Sequence, residues 1–360
     1  MSRDSLDGLR VEIRKKDELI VRLLCERAEI SVRIGKIKAS EGIDIFDPAR
    51  ESGVYGFIEK LNTGALPSGA LKSIYREIIS ASRALQAPVS VAYLGPAASF
   101  TEAAARLHFG ESARMEYGAS IAEVFAAVEK GKCGWGVVPI ENSAEGSVKA
   151  TLDHLVATPL KIRGEIYLRI TQCLLSAAAD PGRILRIYSH PQALAQCRGW
   201  IRRHYPSAAL VETASTADAA GKARNDPEGA AIGSLRASDA YGLILVAEGI
   251  EDFPSNTTRF IVIGGGGSRS TGRDKTSVLF GTRDTPGALH GALEAFASEG
   301  INMTRIESHP ARDRAWEYLF FVDFSGHTEE EAAGGCLEKL ARNTTFLKVL
   351  GSYPKGDSSP

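Results

Sequence analysis

The chain has 360 residues, of which 44% are hydrophobic and 24% charged, and 43 basic against 44 acidic residues give a formal net charge of -1. Such a composition excludes wholesale disorder and leaves no bulk positive charge to hold a nucleic acid or an anionic membrane, while the length predicts about two to three domains. Cys25, Cys133, Cys173, Cys197 and Cys336 form no CxxC pair, and neither a leader-like apolar segment nor a long apolar run is present, so no disulfide framework, zinc site, signal peptide or membrane span is expected and a cytoplasmic location is.

Residues 1–87 are rich in charge and helix formers, without strand-like alternation. A helical pattern runs from Ser5, a candidate N-cap, to Ala39, and at 1.5 Å per residue it extends roughly 50 Å. That length exceeds what an 87-residue region can cover, so the helix asks for a second chain. Asp47-Pro48 opens a second helix, with Asp as cap and Pro at the first helical position. A third follows Pro67-Ser68 and ends near Gln86, where Ala87-Pro88 resists helix. From residue 88 to 264, short apolar runs (VSVAYLG, GWGVVPI, YLRITQCLLS, RFIVIG) alternate with alanine-rich helical stretches, which is α/β periodicity. Residues 265–274, rich in glycine and serine, read as a flexible linker. Residues 275–354 read strand (Thr276–Gly281), helix (Pro286–Glu299), strand (Ile301–Ser308), strand (Trp316–Phe324), helix (Glu329–Leu340) and strand (Phe346–Tyr353), a ferredoxin-like α+β order. Residues 355–360 form a tail.

The first helix carries cations on an apolar face. Arg27 sits among Leu23, Leu24, Ile30 and Ile34, and Lys38 follows eleven residues later, about 20° away on the helical wheel and roughly 16 Å along the axis. Arg10 lies on the same stripe, about 25 Å before Arg27, too far to serve the same pocket of the same chain. Two readings stay open on spacing alone. Either the side chains snorkel or pair with Asp17, Glu26 and Glu29, or they converge on a buried anion.

In order, LR at 9–10, ER at 26–27, GKIK at 35–38, DPARE at 47–51, and Ser82 with Gln86 resemble the all-α chorismate mutase domain. The resemblance implies an interlocked homodimer or higher oligomer, in which Arg10 of the partner chain and Arg27 bind the two carboxylates of chorismate. It also implies that Lys38 and Gln86 hydrogen-bond the ether oxygen, with Asp47, Arg50, Glu51 and Ser82 completing the lining and Glu51 near the ring hydroxyl. These residue types suit a unimolecular rearrangement, which needs a held conformer and stabilised charge but no cofactor, metal or nucleophile.

AYLGPAASFT, PIENS with Asp153 following, SHPQAL and TTRF resemble prephenate dehydratase, whose fold has two α/β subdomains similar to type II periplasmic binding proteins. The resemblance implies that TTRF returns beside ENS at the cleft. Thr258 is then the catalytic residue and Arg259 a carboxylate binder, with Ser99, Thr101, Glu141, Asn142 and Ser143 lining the cleft and His190 beside it. Ala98-Ser99 stands where Gly-Thr is commoner. Without the resemblance, these segments read more readily as turn residues, helix caps and a strand-edge arginine.

DTPGALHGAL and ESHP resemble the two effector motifs of an ACT domain. That implies an L-phenylalanine site at Gly287, Ala288, Leu289, Glu307 and Ser308, with Thr285 or Asp284 capping the helix. His290 and His309 depart from the usual Val and Arg. Together the three resemblances imply a bifunctional enzyme of phenylalanine biosynthesis: chorismate to prephenate, then prephenate to phenylpyruvate, CO2 and water, with feedback inhibition. The alternatives are an arogenate-preferring dehydratase and a non-catalytic amino-acid sensor.

Overall fold

The structure, a computed structural model, describes residues 6–178, 180–310 and 318–356. The expected N-cap Ser5, the strand start at Trp316 and the last four tail residues lie outside these. The described chain forms two compact units.

The first unit holds three helices, α1 (Leu6–Glu41), α2 (Pro48–Leu61) and α3 (Ser68–Gln86), together with Phe109–Arg114. Asp47 caps α2, its Oδ1 accepting from the amides of Ala49 at 3.1 Å and Arg50 at 3.2 Å, and Pro48 occupies the first helical position. The inward face of α1 differs from the expected stripe. Leu23 and Ile30 are 53% and 52% exposed, whereas Ser31, Gly35 and Lys38 are buried. The seam against α3 is therefore small and polar, and it runs through Arg27, Ser31, Gly35 and Lys38. Gly35 permits it: a Cβ there would lie 2.8 Å from Cβ of Gln86. The apolar side chains have no cover in this chain because helices of 14 and 19 residues cannot wrap one of 36.

The second unit begins with β1 (Ser90–Leu94), α4 (Phe100–Phe109), β2 (Arg114–Gly118), α5 (Ile121–Glu129), β3 (Trp135–Asn142), β4 (Gly146–Ser147), α6 (Lys149–Ala157) and β5 (Lys161–Arg169). The chain then crosses to a second subdomain through β6 (Cys173–Ser176), β7 (Arg186–Ser189), α7 (Pro191–Gln196), α8 (Arg198–His204), β8 (Ala209–Glu212), α9 (Thr216–Arg224), β9 (Gly229–Gly233), α10 (Arg236–Tyr241) and β10 (Ile244–Glu248). It returns as β11 (Thr257–Gly264), inserted between β3 and β5 in a sheet ordered β2-β1-β3-β11-β5, with β4 beside β3. The second sheet is ordered β10-β6-β9-β7-β8. TTRF thus opens the returning strand. Its eight residues are almost wholly buried, as a central strand covered on both faces requires.

The C-terminal elements are β12 (Asp274–Gly281), α11 (Ala288–Ser298), β13 (Met303–Pro310), β14 (Tyr318–Ser325), α12 (Glu331–Arg342) and β15 (Phe346–Pro354), with sheet order β13-β14-β12-β15. This is the expected ferredoxin-like arrangement. Two details differ. The helix is capped not by Asp284 or Thr285 but by Gly287, at φ +80°, with no side-chain cap bond, because a tight left-handed turn already redirects the backbone there. The linker is not free either. Arg163 holds the carbonyl of Gly265 and the hydroxyl of Ser268, and Asp274 accepts from the amides of Thr271 and Gly272. This sheet also shares a core with the dehydratase-like sheet, where Ile162 and Ile261 join Leu279, Phe321, Leu350 and Tyr353.

The backbones approach closely at Gly351, where a Cβ would run into the carbonyl oxygen of Ile162. Backbone cannot step aside cheaply, so Gly351→Ala should destabilise the second unit by roughly 1–3 kcal/mol. A lowered midpoint in thermal or urea unfolding of the full chain is the expected reading; an unchanged midpoint would refute the shared core.

Candidate active sites

In the helical unit, Arg27, Lys38, Glu51, Ser82 and Gln86 come together. The Arg27 guanidinium donates through Nη1 to Ser82 Oγ, which in turn donates to the carbonyl of Ile78 at 2.7 Å. Lys38, 8% exposed, donates to the carbonyls of Asp44 at 2.9 Å and Ile45 at 2.8 Å. Its ammonium therefore keeps one of three donors available. Burial, reinforced by Arg50, lowers its pKa from the ordinary lysine value, against the pull of Asp47 and Glu51. Gln86 donates to the carbonyl of Ser82 at 3.3 Å, and its Oε1 is buried without a hydrogen-bond partner.

Arg83 is the residue that sequence reasoning missed. It is 4% exposed, its guanidinium lies 4.7 Å from the centre of the Phe46 ring, and its Nη1 faces Glu51 at 3.4 Å. The available signal was an arginine between Ser82 and Gln86 on a helix whose inward face is polar. Burial pushes the Glu51 carboxyl from its ordinary 4.5 up to about 7, against the opposing pull of Arg83 and Lys38. Asp47 serves as the cap described above, and Arg50 is exposed beside it. Arg10 is not in the site. It is exposed on the far reach of α1, 3.3 Å from Asp7.

In the second unit, the antiparallel pairing of β11 with β3 sets Thr258 opposite Asn142 and Arg259 opposite Glu141. Neighbouring residues of a strand face opposite sides, so the Thr258–Asn142 pair lies on one face and the Arg259–Glu141 pair on the other. Asn142 Oδ1 accepts from the amides of Ala144 at 2.9 Å and Glu145 at 3.2 Å. That fixes its amide, and Nδ2 donates to Thr258 Oγ1 and to Asn256 Oδ1, each at 2.8 Å. Because Thr258 already accepts, its own O–H remains free to donate. Ser143 ties the same corner, its hydroxyl accepting from the amide of Thr257 at 3.0 Å.

Three expected lining residues do other work. Ser99 Oγ donates to the carbonyl of Leu94 at 3.1 Å and accepts from the amide of Glu102 at 3.3 Å, so it caps α4. Thr101 is buried in the same turn of that helix. His190 caps α7, with its side chain accepting from the amide of Gln192 at 3.3 Å.

Arg259 departs from the expected substrate-carboxylate binder. It is 4% exposed, and it donates through Nε to Glu165 at 2.8 Å, through Nη1 to Asp323 at 2.5 Å and through Nη2 to Tyr353 at 3.0 Å. The physical reason is its face: β11 turns Arg259 toward the C-terminal sheet, where protein carboxylates already satisfy it. Burial alone would push Asp323 up, but Arg259 and Ser277 outweigh it and hold that carboxyl below the usual range.

At the C-terminal sheet, Gly287, Ala288 and Leu289 form the start of α11, and Glu307 and Ser308 lie on edge strand β13. His309 is buried and its Nε2 sits 2.8 Å from Asp153. Among the described residues, no group of three or more His, Cys, Asp and Glu is gathered to hold a metal, and no helix is long and apolar enough to cross a membrane.

Models of three families match the chain: chorismate mutase type II over residues 9–87, prephenate dehydratase over 91–267 and the ACT domain over 276–342. The chain is 47% identical over 356 residues to the bifunctional chorismate mutase/prephenate dehydratase of Aquifex aeolicus (strain VF5), covering 98% of each. It is 44% identical over 358 residues to the protein of the same name from Stutzerimonas stutzeri, again covering 98% of each. Among solved structures, the prephenate dehydratase of Arthrobacter aurescens in complex with L-Phe is similar with a TM-score of 0.68 at 37% identity, covering 76% of this chain and 92% of that one.

The buried Glu51 generates a pH prediction. Its folded pKa is raised above the unfolded value, so its contribution to stability is present below pH 4.5 and is lost as pH rises through about 7. Glu51→Gln should flatten that dependence. The wild type should lose on the order of 1–3 kcal/mol relative to the variant between acid and pH 8, as read from urea midpoints. Parallel pH profiles of the two proteins would show that Glu51 is not held protonated.

Proposed function

The chain belongs to the bifunctional chorismate mutase/prephenate dehydratase family, and from that membership we propose how its residues divide the two reactions and their control. The enzyme rearranges chorismate to prephenate, then converts prephenate to phenylpyruvate, CO2 and water.

In the helical unit, Arg27 grips one substrate carboxylate, and Arg10 of a partner chain grips the other. The exposed apolar side chains of α1, among them Leu9, Ile13, Ile20 and Leu23, support this arrangement, because a second copy of the helix would cover them. The active form is therefore a homodimer or a larger homo-oligomer. Lys38 and Gln86 aim donors at the breaking ether oxygen. Charge develops there only in the transition state, so these contacts lower the barrier instead of merely tightening binding. Glu51, whose pKa burial raises to about 7, lies with Asp47 and Arg50 at the end of the site that receives the ring hydroxyl.

The Asn142–Thr258 hydrogen bond carries the dehydratase reading. In the reaction the bond from ring carbon to carboxylate breaks, its electron pair enters the ring, and the hydroxyl leaves as water after gaining a proton. Thr258, held as an acceptor by Asn142, directs its O–H at that leaving oxygen. A weak acid in this position stabilises the departing oxygen by hydrogen bonding. L-Phenylalanine is the effector, bound where Gly287–Leu289 and Glu307–Ser308 meet a second copy of the C-terminal sheet, and it lowers dehydratase turnover. The complex of the Arthrobacter aurescens relative with L-Phe supports this choice of ligand.

The test is chorismate turnover followed to phenylpyruvate, with and without L-phenylalanine. Arg27→Ala should lower mutase kcat/KM by roughly 10- to 100-fold, as loss of a charged hydrogen bond implies, with dehydratase activity on supplied prephenate intact. Thr258→Val should do the reverse, and Thr258→Ser should recover part of the loss. Gly287→Val or Glu307→Ala should blunt the inhibition and leave catalysis in place. Loss of both activities in either single variant would contradict two separate centres, and unchanged inhibition in both effector variants would remove the C-terminal domain as the sensor.

A further inference from the structure

Four alternating charges join the C-terminal sheet to the strands that carry Thr258 and Asn142. On the dehydratase sheet, Arg259 and Glu141 are cross-strand partners. On the C-terminal sheet, Arg305 of β13 and Asp323 of β14 are cross-strand partners. The two pairs interlock. Arg259 reaches Asp323 at 2.5 Å, Arg305 reaches Glu141 at 3.2 Å, and Glu141 also faces Arg259 at 3.8 Å. The side chains of Arg259, Arg305 and Asp323 are 5%, 9% and 4% exposed, so solvent screens the Arg259–Asp323 pair weakly, whereas Glu141, 38% exposed, meets its two partners at the rim.

Arg305 makes a second bond, from Nη2 to Ser147 Oγ at 2.6 Å. Ser147 is the cross-strand partner of Glu141 in the β3–β4 hairpin. One guanidinium therefore clamps both strands of the hairpin whose turn carries Ser143, Ala144 and Glu145. The amides of Ala144 and Glu145 are the groups that orient Asn142. Thr258 and Asn142 are thus bracketed by neighbours, Arg259 and Glu141, that the C-terminal sheet holds in place. Arg305 lies two residues before Glu307, on the strand that carries half of the effector motif.

We propose that Arg305 is a positioning residue of the dehydratase centre: from the C-terminal domain it fixes the Glu141–Ser147 hairpin that orients Asn142 against Thr258, and movement of β13 on effector binding acts through this clamp. The inference rests on the reading of Thr258 as the dehydratase residue. Asp323 is the companion anchor, acting through Arg259. Any shift of β13 displaces Arg305, loosens the turn at residues 143–145 and misaligns the Thr258 hydroxyl. This links effector strand and catalytic strand within one chain.

The test uses full-length Arg305→Gln and Arg305→Lys beside Thr258→Val, with prephenate kinetics, mutase activity and thermal unfolding measured on each. Arg305→Gln should lower dehydratase kcat by about tenfold or more while KM changes by less than about threefold, because the substrate contacts remain and only alignment is lost. Its mutase activity should match the wild type, and L-phenylalanine should change the residual dehydratase rate less than in the wild type. Arg305→Lys, which keeps the charge but not the two-pronged reach, should fall between. A wild-type kcat with a wild-type inhibition curve would overturn the proposal. So would a fall in kcat that follows a lowered unfolding temperature and disappears when assayed well below it. If Thr258→Val itself turned over at the wild-type rate, the reading of that residue would fail instead, whatever Arg305 did.

Discussion

A positive charge almost sealed from water sets the constraint on the second unit. Arg259 is only 4% exposed, so its guanidinium must be matched by carboxylates of the protein, and an unmatched one would cost several kcal/mol. Glu165 comes from the neighbouring strand of its own sheet, but Asp323 and Tyr353 come from the C-terminal sheet. Lys275 adds a second cation on Glu165 at 2.7 Å, and Ser277 donates to Asp323. With two cations and two carboxylates the cluster is formally neutral. Since Ser277 gives its proton to Asp323, the hydroxyl of Tyr353 donates to Ser277 at 2.6 Å, which fits a phenol whose pKa burial and nearby carboxylates raise well above normal. The C-terminal domain cannot separate from the dehydratase sheet without exposing this set.

The same arrangement places the Thr258–Asn142 pair and the buried ion cluster on opposite faces of one strand. Thr258 looks toward Asn142, and Arg259, the next residue, looks toward the C-terminal sheet. Strand alternation converts one step in sequence into a change of side. In the proposed reading, the sheet docked on one face biases the hydroxyl on the other without occupying the cleft. His309 adds a further contact from β13 to Asp153 of α6, so the histidine that stands where arginine is commoner still makes a polar contact across this interface.

The helical unit solves a different problem. Its inward face is built of Arg27, Ser31, Gly35 and Lys38, and a protein that wanted only stability would place leucine there. Close approach at Gly35 and polar partners at Ser82 and Gln86 make the face tolerable. Among the described residues, Gln86 Oε1 nonetheless remains buried without a hydrogen-bond partner, an exception to the usual pairing of buried polar groups.

The sequence by itself determined the three-part organisation and the Asp47 cap of α2, and the resemblance carried by its motifs anticipated the return of TTRF to the PIENS strand and the gathering of Arg27, Lys38, Glu51, Ser82 and Gln86. The first two follow from local signals, apolar periodicity and Asp-Pro at a helix start, whereas the last two join residues far apart in the chain and came only with the motifs taken together. It did not determine the roles of Arg83, Arg305 and Asp323, nor that Arg259 serves an internal ion cluster and that the glycine-rich linker is held. Arg83 depends on Glu51 of another helix and the rest on partners dozens of residues away, and no local pattern records which face of a central strand a second sheet will cover. Only the packing of β13, β14 and β15 against β5 and β11 decided that.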